Sequence, residues 1–476
     1  MKTAYKNFFS YLTKLSVLLV IASQSLALSG CGNTGTEGES RELTEADIPL
    51  KRDRVTRLFW QDREEDSLKW ADLAKGEEEW YLDAQKIPDF PKLDGEKQDL
   101  VQMQILDGKL LVGVRDNDDG KFQSGWVAID TGVIEEPHGD HSDWTYEFDP
   151  KIQVSRLNKD QGNPAHLYSY DGNYYLANDS KNGFTRLLPN EFKTQDPGTF
   201  HSGGGNHITM AAADNKVCYS TWIDGGGPNK GRVDVVDLSK PNDTSLAYTF
   251  HLPTGVIHGA TVNSGRVFFA PADGICWTEA DTDLTKTPDS MKVHHISLGK
   301  DKETDKPLRT GSFVNHRNWI IFTTGTTDSS ALCLLNAESS EPAVIKVPIE
   351  VADGLSLVTP KVIQSSTGKR YAFVFQDRKE GEGIEKLTII DIDPDGDRNF
   401  SDAIVSKTIE VGPSKIEGHH GHHSICFTPD GKYACLTNPG DGSIWVLSLY
   451  NLEILAKLQA GGTPSAITNI GGMDFH

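Results

Sequence analysis

The sequence predicts an all-β chain built from one repeated unit, and three observations carry that prediction. Seven segments share a pattern of short strand, polar turn and strongly apolar strand. After most of them a further strand ends near an aspartate or serine, as in GWVAID and KLTIIDID. Past the leader, no helical pattern lasts longer than a turn or two. The segments begin at Leu100, Ala165, Asn206, Ile257, Gly311, Thr359 and His422. Their turns fall at Asp107, Asp171, Asp214, Ser264, His316, Thr367 and Asp430, a spacing of about 50 residues. Units of four short strands at that period cannot bury their faces singly and pack radially as a β-propeller. Seven blades are expected. Eight is the alternative, because 51–94 is weakly patterned and Arg52 to Trp60 could supply an outer or closing strand to the last blade.

The N-terminus reads as export signal rather than fold. Lys2, Lys6 and Lys14 precede an apolar run from Leu15 to Leu28, shorter than the ~20 residues of a spanning helix. Leu28-Ser29-Gly30-Cys31 looks like a bacterial lipobox, which implies cleavage before Cys31 and lipidation of that cysteine. The expected organisation is a signal peptide over 1–30, a lipidated cysteine and polar tether over 31–50, and the propeller over 51–476. Such a chain would sit in the cell envelope, on the periplasmic or extracellular face, touching the membrane through its lipid alone.

A formal charge of -21 argues against nucleic acid, whose phosphates demand a basic face. The remaining cysteines, Cys218, Cys276, Cys333, Cys426 and Cys435, have no metal-ligand spacing and are odd in number, so they cannot all pair. They read as buried free thiols, although Cys426 and Cys435 flank one hairpin and could approach each other. A monomer is expected.

Histidines recur in register. His166, His207, His258 and His423 each lie five to seven residues before their turn, at the start of a first strand. With 15 histidines in 476 residues, chance would put fewer than one there. First strands line a propeller's channel, so these four should converge as a ring, which is how a fold assembles a metal site. The loop EEPHGDHSDW adds His138, Asp140 and His141, two imidazoles with a carboxylate between them, suited to a movable ligand arm. His419, His420 and His422 form a loop at the mouth entered by His423, a candidate second, weaker site. Imidazole with carboxylate suits zinc first, then copper or nickel. Protons compete for free imidazole near pH 6.5, so affinity is expected to fall steeply below that.

Two resemblances follow from these residues. The last repeat, FTPDGKYACLTNPGDGSIWVLSLYNLEILAKLQAGGTP, resembles the YVTN family of propeller repeats, which supports the fold and says little of activity. The chain also resembles the periplasmic zinc metallochaperones encoded beside bacterial zinc-uptake ABC transporters. His138-Gly139-Asp140-His141 matches their HGDH-type loop, and His166 in PAHLYSYDG matches a histidine before a DG hairpin. His207 opens the next inner strand, His258 lies in IHGATVNSG, and His423 matches the final histidine. The resemblance implies a zinc carrier that hands metal to the zinc-binding protein of an ABC transporter. It departs from the family in its expected lipid anchor and in its extra histidines at 419, 420 and 422.

The segment DIDPDGDRNFSD places Asp391, Asp393, Asp395, Asp397 and Asp402 in a loop with near EF-hand spacing, an expected calcium site. Two other functions fit the sequence. One is a propeller enzyme, lactonase-like or redox, with channel histidines holding a cofactor such as haem, although no C-x-x-C-H attachment sequence occurs. The other is a cell-surface interaction scaffold.

Overall fold

The computed structural model describes residues 53–473 apart from 119, 140, 380–382 and 419–420. The expected signal peptide, Cys31 and its tether, Asp140, His419 and His420 therefore lie outside the described residues. Eight antiparallel sheets are arranged in chain order, and in each the strands run A to D from the inside out. The A strands neighbour one another all the way round, which closes the ring.

Turn chemistry sets the register. Asp107-Gly108, Asp171-Gly172 and Ser264-Gly265 each join an A to a B strand with positive φ at both residues, the two-residue geometry that matches strand twist. The B strands are then buried on both faces. Leu110, Val112 and Val114 pack toward blade 1, whereas Leu111 between them packs toward blade 3. In the same way Tyr174 and Leu176 face blade 2, and Tyr175 and Ala177 face blade 4. Every blade-to-blade seam carries its own apolar cluster.

The count is eight rather than the expected seven. Asp53–Asp62 does act as a closing strand, pairing with Pro464–Ile470, but with Ser67–Lys75 and Trp80–Leu82 it builds a separate blade rather than an outer addition to the last one. They are strands B, C and D of blade 1, whose A strand, Pro464–Ile470, comes from the other end of the chain. The blade is hard to read in sequence because its buried faces carry charge. Arg57, 2% exposed, reaches Asp72 at 2.7 Å and the carbonyls of Thr131 and Phe148, with its guanidinium over Trp70. Lys69 pairs with the buried Asp62 at 2.5 Å. Paired charges are tolerated inside, but they erase the apolar alternation that marks a strand.

The five described cysteines are buried and free, as expected. No helix among the described residues is long and apolar enough to cross a membrane.

Candidate metal centre

Blades 3, 4 and 5 bring their entrance histidines together. His166 lies in strand Pro164–Tyr170, while His207 and His258 precede strands Met210–Ala213 and Ala260–Asn263. One ring nitrogen of each lies within 4.8 Å of the others. The Nε2 atoms of His166 and His207 stand 2.9 Å apart. A tetrahedral zinc holds imidazole nitrogens about 3.3 Å apart, so a few tenths of an ångström of opening would admit the ion.

The rings are also held from behind. The Nδ1–H of His207 donates to Asp179 Oδ2 at 3.2 Å, and that carboxylate also accepts the Ile208 amide. His258 Nδ1–H donates to the Gly311 carbonyl at 3.2 Å. Both bonds fix the tautomer that leaves the Nε2 lone pair for a metal, the outer-shell arrangement typical of zinc histidines. With His207 Nε2 an acceptor, the 2.9 Å contact makes His166 the donor, so His166 must shift that proton to Nδ1 before it can ligate.

Burial first, then His207, His258 and Arg115, push the His166 pKa down to about 3; burial chiefly lowers that of His258 as well. For these two a proton would compete less with a bound metal than it does at free imidazole.

His423 does not join them. In an eight-bladed ring blade 8 stands opposite blade 4, and the structure gives His423 different partners. Its Nδ1 lies 2.9 Å from Asp377 Oδ1 and 3.1 Å from Glu385 Oε2, all three residues being buried. Asp377 Oδ2 accepts the amides of His422 and His423, and Glu385 accepts from the Ser414 amide and hydroxyl. The His423 ring stacks on Phe375, and its Nε2 is buried with no hydrogen-bond partner. His422 is buried too, its Nδ1 3.1 Å from the Ser414 hydroxyl, not on an open loop.

The expected ligand arm also lies elsewhere. Val133–His138 and His141–Tyr146 form a two-stranded ribbon inserted between strands C and D of blade 2. Strand C runs parallel to A, so this insertion leaves from the face of the A–B turns, opposite the histidine entrances. Thr131 at its base bonds the Gly108 carbonyl in such a turn, and Tyr146 bonds Gly472 just past the final A strand. On the ribbon His138 Nδ1 is 2.8 Å from Asp143, with His141 at 3.8 Å. These three form a separate, exposed group at the other mouth.

The fold is similar to that of AztD from Citrobacter koseri. One AztD structure, the apo form, aligns with a TM-score of 0.58 at 15% identity, covering 88% of this chain and 98% of that one. A second aligns at 0.56 and 16% over the same shares. Dihydro-heme d1 dehydrogenase NirN in complex with DHE aligns at 0.52 and 12%, covering 90% of this chain and 82% of that one. No family model matches the chain, and no curated protein matches it in sequence. At these identities the likeness establishes the architecture alone.

Sequence reasoning missed Asp179, Asp377, Glu385 and Asp143. A rule of the fold could have found the first two. B–C corners face the same mouth as the A-strand entrances, so the corner carboxylate of one blade meets the histidine of the next. Asp179 of blade 3 meets His207 of blade 4, and Asp377 of blade 7 meets His423 of blade 8.

The acidic loop expected to hold calcium already holds cations of the protein. Arg370 Nη1 pairs with Asp393, and Lys369 lies 3.1 Å from Asp391. Asp393, Asp395 and Asp397 cluster, whereas Asp391 and Asp402 stand outside that group. With Arg370 supplying the charge, millimolar calcium should leave the melting temperature unchanged. A rise abolished by Asp395→Ala would show instead that the ion displaces the arginine.

Proposed function

We propose that this protein binds one zinc ion through His166, His207 and His258 and hands it to a partner protein, as a metallochaperone. The observation that carries the reading is the convergence of three imidazoles whose ligand nitrogens face one another while two are anchored at Nδ1. Three neutral donors with a fourth position left for water or a partner's side chain suit a site that must also release its ion. The motif resemblance to periplasmic zinc metallochaperones supports the same reading. It extends it to a cell-envelope location, lipid anchorage at Cys31, and a receiving protein in a zinc-uptake ABC transporter. The ribbon group of His138, His141 and Asp143 then offers a second, weaker position at the far mouth.

A tetrapyrrole-holding enzyme fits less well. A haem takes one or two axial imidazoles across a wide flat slot, and nitrogens 2.9 Å apart leave room for an ion rather than a macrocycle. Elemental analysis of untagged protein, followed by calorimetric titration of the apoprotein, tests the proposal. One zinc per chain with sub-micromolar affinity is expected. Protein that neither carries nor takes up zinc, copper or nickel would mean that the histidines only line a wet channel.

A further inference from the structure

The last blade carries two thiols in direct opposition. Cys426 lies in strand Ile425–Phe427 and Cys435 in strand Tyr433–Asn438, and the register pairs them across the ladder. The same ladder places Thr428 opposite Tyr433 and Ser424 opposite Thr437, with the Thr428 amide bonded to Tyr433 and the Thr437 amide to Ser424. Hydrogen-bonded pairs alternate along an antiparallel ladder, so Cys426 and Cys435, midway between those two, form another. Their Cα atoms then stand about 5.5 Å apart, within the roughly 4.4–6.8 Å that a disulfide spans. As directly opposed residues of one pair, the two side chains project to the same face of the sheet. Cys218, Cys276 and Cys333 lie one each on blades 4, 5 and 6, with no such opposition.

The position matters to the ring. Both cysteines belong to the apolar seam between blade 8 and blade 1, with Val55, Leu58, Trp60 and Ile467. That seam joins the blade made from both ends of the chain to its neighbour. The strand pairing that joins the two ends lies inside blade 1, between Asp53–Asp62 and Pro464–Ile470, and this seam packs against it.

We propose that Cys426 and Cys435 form a cross-strand disulfide when the chain folds in an oxidising compartment, fastening the inner strand of blade 8 beside the closure seam. The oxidant is a disulfide-donating thiol oxidoreductase or a small-molecule disulfide. The thiolate of Cys426 attacks the donor's S–S bond and releases one donor thiol, leaving a mixed disulfide. Cys435 then displaces the second donor sulfur. Two protons leave the cysteines, and the donor gains two electrons as its disulfide becomes two thiols. The exchange precedes packing of blade 8 against blade 1, because both sulfurs are buried afterwards.

The proposal is independent of metal binding and is tested on the full chain. Protein refolded with oxidised and reduced glutathione is denatured, alkylated without reductant and digested. Expected is one linked peptide pair joining Cys426 to Cys435, two hydrogens lighter than the separate peptides, with Cys218, Cys276 and Cys333 alkylated. The melting temperature should fall when reductant is added, and Cys435→Ser should remove that response. Recovery of both peptides fully alkylated, or a link to any other cysteine, overturns the proposal. The mapping uses wild-type protein, so it decides the matter even where a serine variant fails to fold.

Discussion

His207→Ala should weaken zinc binding by about 100-fold or more, while the apoprotein melts within a few degrees of wild type. His207 is the central imidazole of the cluster, in contact with His166 on one side and His258 on the other. It also carries the Asp179 bond that orients the group. Loss of an outer partner alone typically costs 10–100-fold, so loss of the ligand sets a larger floor. Asp179→Asn should fall in that intermediate range, since the amide oxygen can still accept from Nδ1 without the charge. His207 is only partly buried, so its removal opens no sealed cavity. Titration calorimetry at fixed pH reads all of this directly. Unchanged affinity in a His207→Ala, His258→Ala double variant would remove the metal site, and the carrier reading with it.

Much of the architecture is legible because each repeat states it twice, once in the turn and once in the B strand. Asp171-Gly172 can only be a tight turn, and NYYLAN after it is apolar on both faces because it lies between two blades. Blade 1 escapes the pattern for a definite reason. Its interior positions hold Arg57, Asp62 and Lys69, whose charges cancel in space and not along the chain. An ion pair between adjacent strands is invisible to periodicity.

The site is legible to the same depth. Register in the repeats singles out His166, His207, His258 and His423 as equivalent, and the structure does put all four at A-strand entrances. Equivalence within a blade says nothing of distance around the ring, which depends on the blade count. A ring of eight leaves three consecutive histidines in contact and puts the fourth across the channel. The carboxylates follow from the order of the blades rather than from any local motif. Asp179 and Asp377 act on the blade that follows their own, so no local motif contains both carboxylate and histidine. The HGDH ribbon shows the opposite limit, a strong local motif whose position follows only from strand direction.

His423 should make the folded state depend on pH in the alkaline range. Burial alone would lower its pKa, but hydrogen bonds to Asp377 and Glu385, with their charges, push it up to about 9. The unfolded chain titrates at about 6.5. A folded pKa above the unfolded one means that the imidazolium stabilises the fold fully below pH 6.5. That contribution, about 3 kcal/mol, drains away as pH rises through 9. The consequence is mechanical as well as electrostatic. The same two carboxylates accept the amides of His422, His423 and Ser414, so they tie the connection between blades 7 and 8 to the B and C strands of blade 7. Denaturant unfolding of the wild type at pH 6, 7.5 and 9 should show stability declining across the series. His423→Asn keeps a donor but no titrating charge and should flatten that slope. His423→Ala leaves two buried carboxylates without their cation and should lose about 3–5 kcal/mol at neutral pH. Parallel slopes in wild type and His423→Asn would show that the imidazole is neutral in the fold. Asp377 and Glu385 would then be held by backbone amides alone, and the charge on His423 would have no part in joining the last two blades.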